Sequence, residues 1–220
     1  MLNVKRARLY YRLKAHHLPT FVASGMSICI LYATRPYQDV LSRASFATAY
    51  PALVLLIATL LIGPWRVLRR ERNPISSDLR RDLGIWAGIL GILHSVVGQN
   101  VHLRGRPWLY YIYEQHSDHA FPLRHDLFGL ANYTGAVGVL ILLALLASSN
   151  DCSLRALGTP RWKQLQRWNY AAFGLAAIHA AAYLIIERQK LPFVMVVAIT
   201  VTIAIAFQLV GLYLRRSHSV

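Results

Sequence analysis

The chain has 220 residues, 55% of them hydrophobic, and carries a formal net charge of +15. Its mean hydropathy is +0.37. Charged residues make up only 15% and gather in short clusters between long apolar runs, which excludes an ordinary soluble globular domain and points to a protein folded in lipid. No basic cluster carries the interleaved aromatics or folded module that nucleic-acid recognition needs, so the positive charge is assigned to anionic lipid head groups and not to DNA or RNA.

Six helical spans are expected, at about 18–34, 47–65, 83–101, 127–148, 166–186 and 193–214, each near the length that crosses roughly 30 Å of hydrocarbon. The first follows a basic leader (Lys5, Arg6, Arg8, Arg12, Lys14) like that of a signal peptide. Arg35 and Pro36 stand where a small-residue cleavage site would follow Tyr32, so the span is read as an uncleaved helix. Pro64, followed by Trp65, ends the second span or kinks its exit. Between spans 3 and 4 lies the one long connection, 102–126, whose Trp108, Tyr110, Tyr111 and Tyr113 suit the headgroup level, with room for a short interfacial helix. In span 4, Asn132, Tyr133 and Thr134 read as hydrogen-bonding groups between helices, a quinone-site role being the alternative. Residues 149–165 read as a loop. Trp65, Trp86, Trp162 and Trp168 read as belt residues, and His16, His17 and His218 as ordinary interfacial or tail residues.

Lys and Arg divide 17 to 7 between alternate connecting segments. Both termini and the segments 66–82 and 149–165 are therefore expected on the cytoplasmic side. No internal repeat or long linker interrupts the chain, so residues 1–220 are expected to form one all-α domain, a six-helix transmembrane bundle with both ends inside.

Two histidines stand out within the apolar runs. His94 lies 13 residues beyond Arg81 and His179 lies 12 beyond Arg167, so both imidazoles stand about 18–20 Å above their basic anchors, at one depth in the outer half. Around His94, Gly84, Gly88, Gly91, Ser95 and Gly98 form a small-residue stripe; around His179 stand Ala172, Ala176 and Ala182. Small residues beside two depth-matched imidazoles make room for something flat and large, and haem held axially by both fits that description. The competing reading is that the stripes only let helices pack closely and each histidine hydrogen-bonds to a neighbour. Zinc ranks lower, because no third Cys, Asp or Glu lies at that depth.

The stretches "RRDLGIWAGILGILH" (80–94), "GVLILLALLASSND" (138–151) and "LGTPRWKQLQRWNYAAFGLAAIH" (157–179) together resemble the ferric reductase-like transmembrane domain superfamily. Within it they are most similar to the haem-binding membrane subunit of the bacterial periplasmic methionine sulfoxide reductase system. The resemblance covers about residues 47–190, and the series Trp162, Lys163, Leu165, Arg167, Tyr170, His179 is its most specific part. It implies a six-helix bundle in the bacterial inner membrane, b-type haem ligated by His94 and His179, and a periplasmic redox partner. Two-haem relatives carry a second histidine pair lower on the same helices, where this chain has Arg80 and Gln166, so one haem is expected. The segment "FPLRHDLFG" before span 4 departs from the related subunit's usual Arg-Pro-Tyr pattern.

No Gly-rich phosphate loop or αβ pattern for a dinucleotide appears. A quinol within the membrane is therefore the favoured electron donor, a separate cytoplasmic flavin reductase being the alternative. FMN ranks behind haem and quinone as a bound cofactor. On the outer side, Arg124 and His125 are candidates for haem propionates or the acceptor face. His116 and His119 form a weaker candidate metal pair, with a plain solvated loop as the rival. An electron-transfer subunit is expected ahead of a complete enzyme. The rivals are a stand-alone reductase of extracellular ferric or cupric ions and a non-redox scaffold or transporter.

Overall fold

The computed structural model describes residues 2–35, 37, 39–69, 77–103, 106–114 and 122–217. Helix α1 (Leu2–Arg12) passes through a π-helical turn at Leu13–His17 into α2 (Leu18–Thr34). Then come α3 (Val40–Leu68), α4 (Ser77–Gly98), a 3₁₀ turn at Pro107–Tyr110, α5 (Leu127–Ser148), α6 (Asp151–Gln166), α7 (Trp168–Ile186) and α8 (Leu191–Ser217). Among the described residues the only β pairing is one isolated bridge between Ile112 and Leu123. The protein is all-helical.

Among the described residues five helical runs are long and apolar enough to cross a membrane: Arg6–Thr34, Val40–Leu68, Leu127–Ser148, Asp151–Ile186 and Leu191–Leu214. Helix α4, the expected third span, is not among them, because its opening turns hold Asp78, Arg80, Arg81 and Asp82. Large apolar side chains on the outer faces, such as Leu140, Ile185 and Leu209, are more than 60% exposed. That is the surface a multi-pass membrane protein turns to lipid.

Three elements differ from the sequence expectation. Helix α3 runs through Pro64 to Leu68 without ending there. Pro64 packs against α8 at Gly211, where a Cβ would come within 3.0 Å of the Pro64 ring. Residues 151–166 are helical where a loop was expected, as two short helices that meet at a kink. The Asn150 side chain caps the first by accepting from the Ser153 N–H at 2.8 Å, and the break signalled by Gly-Thr-Pro falls at Gly158, at φ 71°. The third is the leader, which is helical and continuous with α2.

That leader is bolted to α4. Arg8 forms a two-bond pair with Asp78 at 2.9 and 2.6 Å. Four residues on, Arg12 pairs with Asp82 through both Nε and Nη2. The wider π turn brings His16 Nδ1 to 2.7 Å and His17 Nε2 to 3.3 Å from the same carboxylate. The other His17 nitrogen accepts from the Trp86 indole at 3.2 Å. His16 and His17 are thus structural ligands of a buried aspartate, which corrects their reading as ordinary interfacial residues. The remaining bundle is two close helix pairs, α3 with α4 and α5 with α7, with α8 laid along α3. Glycine contacts serve this packing: Gly88 lies over Leu146 and Gly84 near Thr59.

Candidate cofactor site

The two helix pairs do not close on each other everywhere. Among the described residues no Cα of α4 lies within 8 Å of one in α7, and a cavity of about 250 Å³ occupies the gap. His94 of α4 and His179 of α7 face each other across it, with ring centroids 6.0 Å apart and planes at 79°. The structure therefore brings together the two histidines that the sequence matched by depth.

Each imidazole is aimed by the backbone of its own partner helix. His94 Nδ1 lies 3.0 Å from the Ser45 carbonyl of α3, and His179 Nδ1 lies 2.7 Å from the Ala131 carbonyl of α5. A carbonyl only accepts, so Nδ1 carries the proton in both rings and Nε2 is left as a lone-pair donor. This is the arrangement metal-bound histidines use, with the outer nitrogen tied to a carbonyl and the inner one free. Imidazole–metal bonds of about 2 Å, plus roughly 1 Å from nitrogen to ring centre at each end, put the centroids of a two-imidazole site about 6 Å apart. The 6.0 Å observed matches that spacing. The donor set, two neutral imidazoles with no carboxylate between them, fits haem iron better than zinc.

Glycine makes the approach possible. A Cβ at Gly135 of α5 would stand 2.7 Å from His179 Nδ1 and 2.9 Å from its Cε1. The imidazole lies directly on the α5 backbone, and no other residue type leaves it there. Sequence reasoning placed the small-residue stripe on α4 and α7 and missed this residue. Of the expected stripe, Gly91, Ser95 and Gly98 line the cavity, as do Ala172 and Ala176. Ala182 is buried elsewhere, and Gly84 and Gly88 pack helices.

The connection after α4 caps one end of the bundle. Tyr110, 1% exposed, accepts the His102 N–H at 2.9 Å and donates to the Gly98 carbonyl at 3.2 Å. His102 stacks on Tyr183 and reaches Glu187 at 3.0 Å, and its hydrogen bond holds the Glu187 carboxyl below its ordinary range. Tyr183 in turn donates to Asn132 at 3.0 Å, a bond between α7 and α5 of the kind expected for Asn132. Tyr133 donates to the Tyr111 carbonyl, whereas Thr134 bonds only carbonyls of its own helix, at 2.8 and 2.9 Å.

The other candidates lie elsewhere. Arg124 and His125 line a second pocket with Asp126 and Tyr133, separate from the His94–His179 cavity. Arg124 is occupied by Asp126 at 2.5 Å and stacks over Tyr113 and Phe128. His116 and His119 lie outside the described residues. Where a lower histidine pair would stand, Gln166 donates to Ser148 at 3.3 Å. Among the described residues no group of three or more His, Cys, Asp or Glu is placed to hold a metal ion.

Compared with known proteins, the chain is 34% identical over 133 residues, 60% of its own length, to the protein-methionine-sulfoxide reductase heme-binding subunit MsrQ of Yersinia pseudotuberculosis serotype O:1b (strain IP 31758). It is equally similar to the subunit of that name from Yersinia pestis (strain Pestoides F). The match spans 58% and 57% of those relatives' own lengths. They are the proteins to which the sequence resemblance pointed. No family model matches the chain, and no solved structure matches it.

Proposed function

We propose that the protein is the haem-carrying membrane subunit of an electron-transfer system, with His94 and His179 as the residues that would hold the iron of one b-type haem. The observation that carries this reading is the pair of imidazoles 6.0 Å apart, each tied through Nδ1 to a helix carbonyl. The group, when bound, supplies one-electron chemistry that no side chain here offers. The chain's own part is to hold two Nε2 lone pairs in register, to keep each ring in one tautomer through Ser45 and Ala131, and to surround the site with apolar wall. The heme-binding name of the similar Yersinia subunits supports the same cofactor.

The finer assignments follow from the charge pattern and the resemblance. Residues 1–220 act as one domain of six spans, α4 included, in the bacterial inner membrane with both termini in the cytoplasm. A donor on that side faces about 18–20 Å of helix before reaching the histidines, which favours a quinol moving within the bilayer over a cytoplasmic flavin reductase. The acceptor is a periplasmic redox protein, a methionine sulfoxide reductase by analogy with the relatives' name. It docks on the capped end, where Arg124 and His125 line the second pocket.

The test is spectroscopic. Protein purified in detergent with haem supplied should show a reducible Soret band, one haem per chain, that disappears in both His94→Ala and His179→Ala. Imidazole planes at 79° predict a strongly anisotropic low-spin ferric EPR signal. A protein that stays colourless with haem supplied is a scaffold or transporter instead. Reduced protein that passes electrons to Fe(III) or Cu(II) without a partner is a stand-alone metal reductase.

A further inference from the structure

Arg35 is the residue the reading above leaves unexplained. It follows α2 directly at the capped end, is 7% exposed, and its Nε is buried with no hydrogen-bond partner. Among the described residues no carboxylate lies within ion-pair distance of it. The guanidinium is clamped between two aromatic faces, 3.5 Å above the Phe46 ring and 3.8 Å from that of Phe193. Its Nη2 donates to Gln189 Oε1 at 2.5 Å, and the Gln189 amide is fixed in turn by donating to the Tyr37 hydroxyl at 2.8 Å. Phe46, Tyr37 and Gln189 all line the cavity that holds His94 and His179.

An unpaired cation in such a place calls for an anion. Burying a charge without a partner is costly, and buried charges are as a rule paired. The aromatic clamp offsets part of that cost, and the Gln189–Tyr37 relay sets the plane of the fork. A guanidinium presents its donors in the geometry that accepts a carboxylate. The Arg124 guanidinium, also at this end, is by contrast taken by Asp126.

We infer that Arg35 is the receptor for a carboxylate of the ligand bound in this cavity, a propionate of the haem that His94 and His179 hold. The inference rests on the haem reading and deepens it. It moves the propionate contact from Arg124 and His125, the sequence candidates for propionates or the acceptor face, to a residue packed against the Phe46 and Gln189 that line the site.

The experiment compares haem with its dimethyl ester, which keeps the macrocycle and iron but has no carboxylate. Both are titrated by Soret absorbance into full-length wild type, Arg35→Met, Arg35→Gln and Arg124→Gln. Wild type and Arg124→Gln should bind haem at least about tenfold more tightly than the ester, the scale of a hydrogen bond to a charged group. In Arg35→Met and Arg35→Gln that preference should fall to about twofold or less. Arg35→Met keeps an apolar stem between the rings, so removing the unpaired charge should raise the melting temperature of the haem-free protein while shrinking the stabilisation haem adds. A merely structural Arg35 would lower the first. The inference is overturned if wild type does not distinguish the two tetrapyrroles, as expected were Arg35 the receptor of a free carboxylate instead, or if the Arg35 variants keep the wild-type preference. If neither tetrapyrrole gives a Soret band in any variant, the haem reading itself has failed, and Arg35 with it.

Discussion

The two ends of α4 use histidine in opposite ways. At the leader end, His16 and His17 converge on Asp82, a carboxylate only 1% exposed that Arg12 also grips. Their polar atoms are spent on an ion cluster that staples one helix to another. Near the other end, His94 and His179 touch no carboxylate; each gives one nitrogen to a backbone carbonyl and turns the other to a cavity. The lesson is that a buried histidine's role is read from what holds it. A carboxylate partner uses the ring up, whereas a carbonyl partner fixes the ring and leaves a ligand atom available.

The largest effect that tests this contrast is on stability. Asp82→Asn removes the anion shared by Arg12, His16 and His17 and leaves a side chain only 11% exposed, that of Arg12, uncompensated. Breaking such a buried pair costs about 3–5 kcal/mol. Chemical unfolding in detergent should show that loss, with earlier proteolysis of the leader, while the Soret band of the folded protein stays unchanged, because Asp82 lies about 18 Å along α4 from His94. A variant that folds with wild-type stability but loses haem would erase the distinction between the two ends.

The sequence made one of these ends legible and hid the other. His94 and His179 were found because intramembrane histidines are rare and their depth follows from counting residues along two helices. The Asp82 cluster was not, since Arg12, His16 and His17 stand 65–70 residues from Asp82 and His16 and His17 reach it only through a π turn that no composition signals. Gly135 and Arg35 were missed for the same reason: one matters because His179, 44 positions on, rests against it, the other because Phe46 and Phe193 close over it. The helical nature of α6 was hidden by Gly158 and Pro160, strong breakers that kink the segment at Gly158 and leave helix on either side.

A smaller effect sharpens the ligand half of the contrast. Gly135→Ala sets a Cβ 2.7 Å from an imidazole whose Nδ1 is tied to the Ala131 carbonyl, and overpacking of this kind costs about 1–3 kcal/mol. The strain should appear as a loss of the His179–Ala131 bond and about 10–100-fold weaker haem binding, read by titration and by a changed low-spin EPR signal. Gly174→Ala on α7 is the control, since nothing lies within 4 Å of a Cβ there. Equal haem affinity in the two variants would mean that His179 does not need its seat on α5.

The smallest effect concerns His102, which combines both behaviours: its ring lines the cavity, yet it is held by Glu187. The pair is about one-third exposed, 35% and 29%, so it contributes less than about 1 kcal/mol. Its sign is fixed by the carboxyl, which His102 lowers from its ordinary value of 4.5. A lowered carboxyl stabilises the fold above that ordinary value and loses the contribution as pH falls through the folded value. Wild type should therefore melt slightly above Glu187→Gln near neutral pH, and the gap should close in acid below about pH 4. The other carboxylates are the same in both proteins, so the difference between the two melting curves isolates Glu187. Were the gap to widen in acid, the carboxylate would not be what holds His102, and His102 would join His94 and His179 as a ring with a nitrogen to spare.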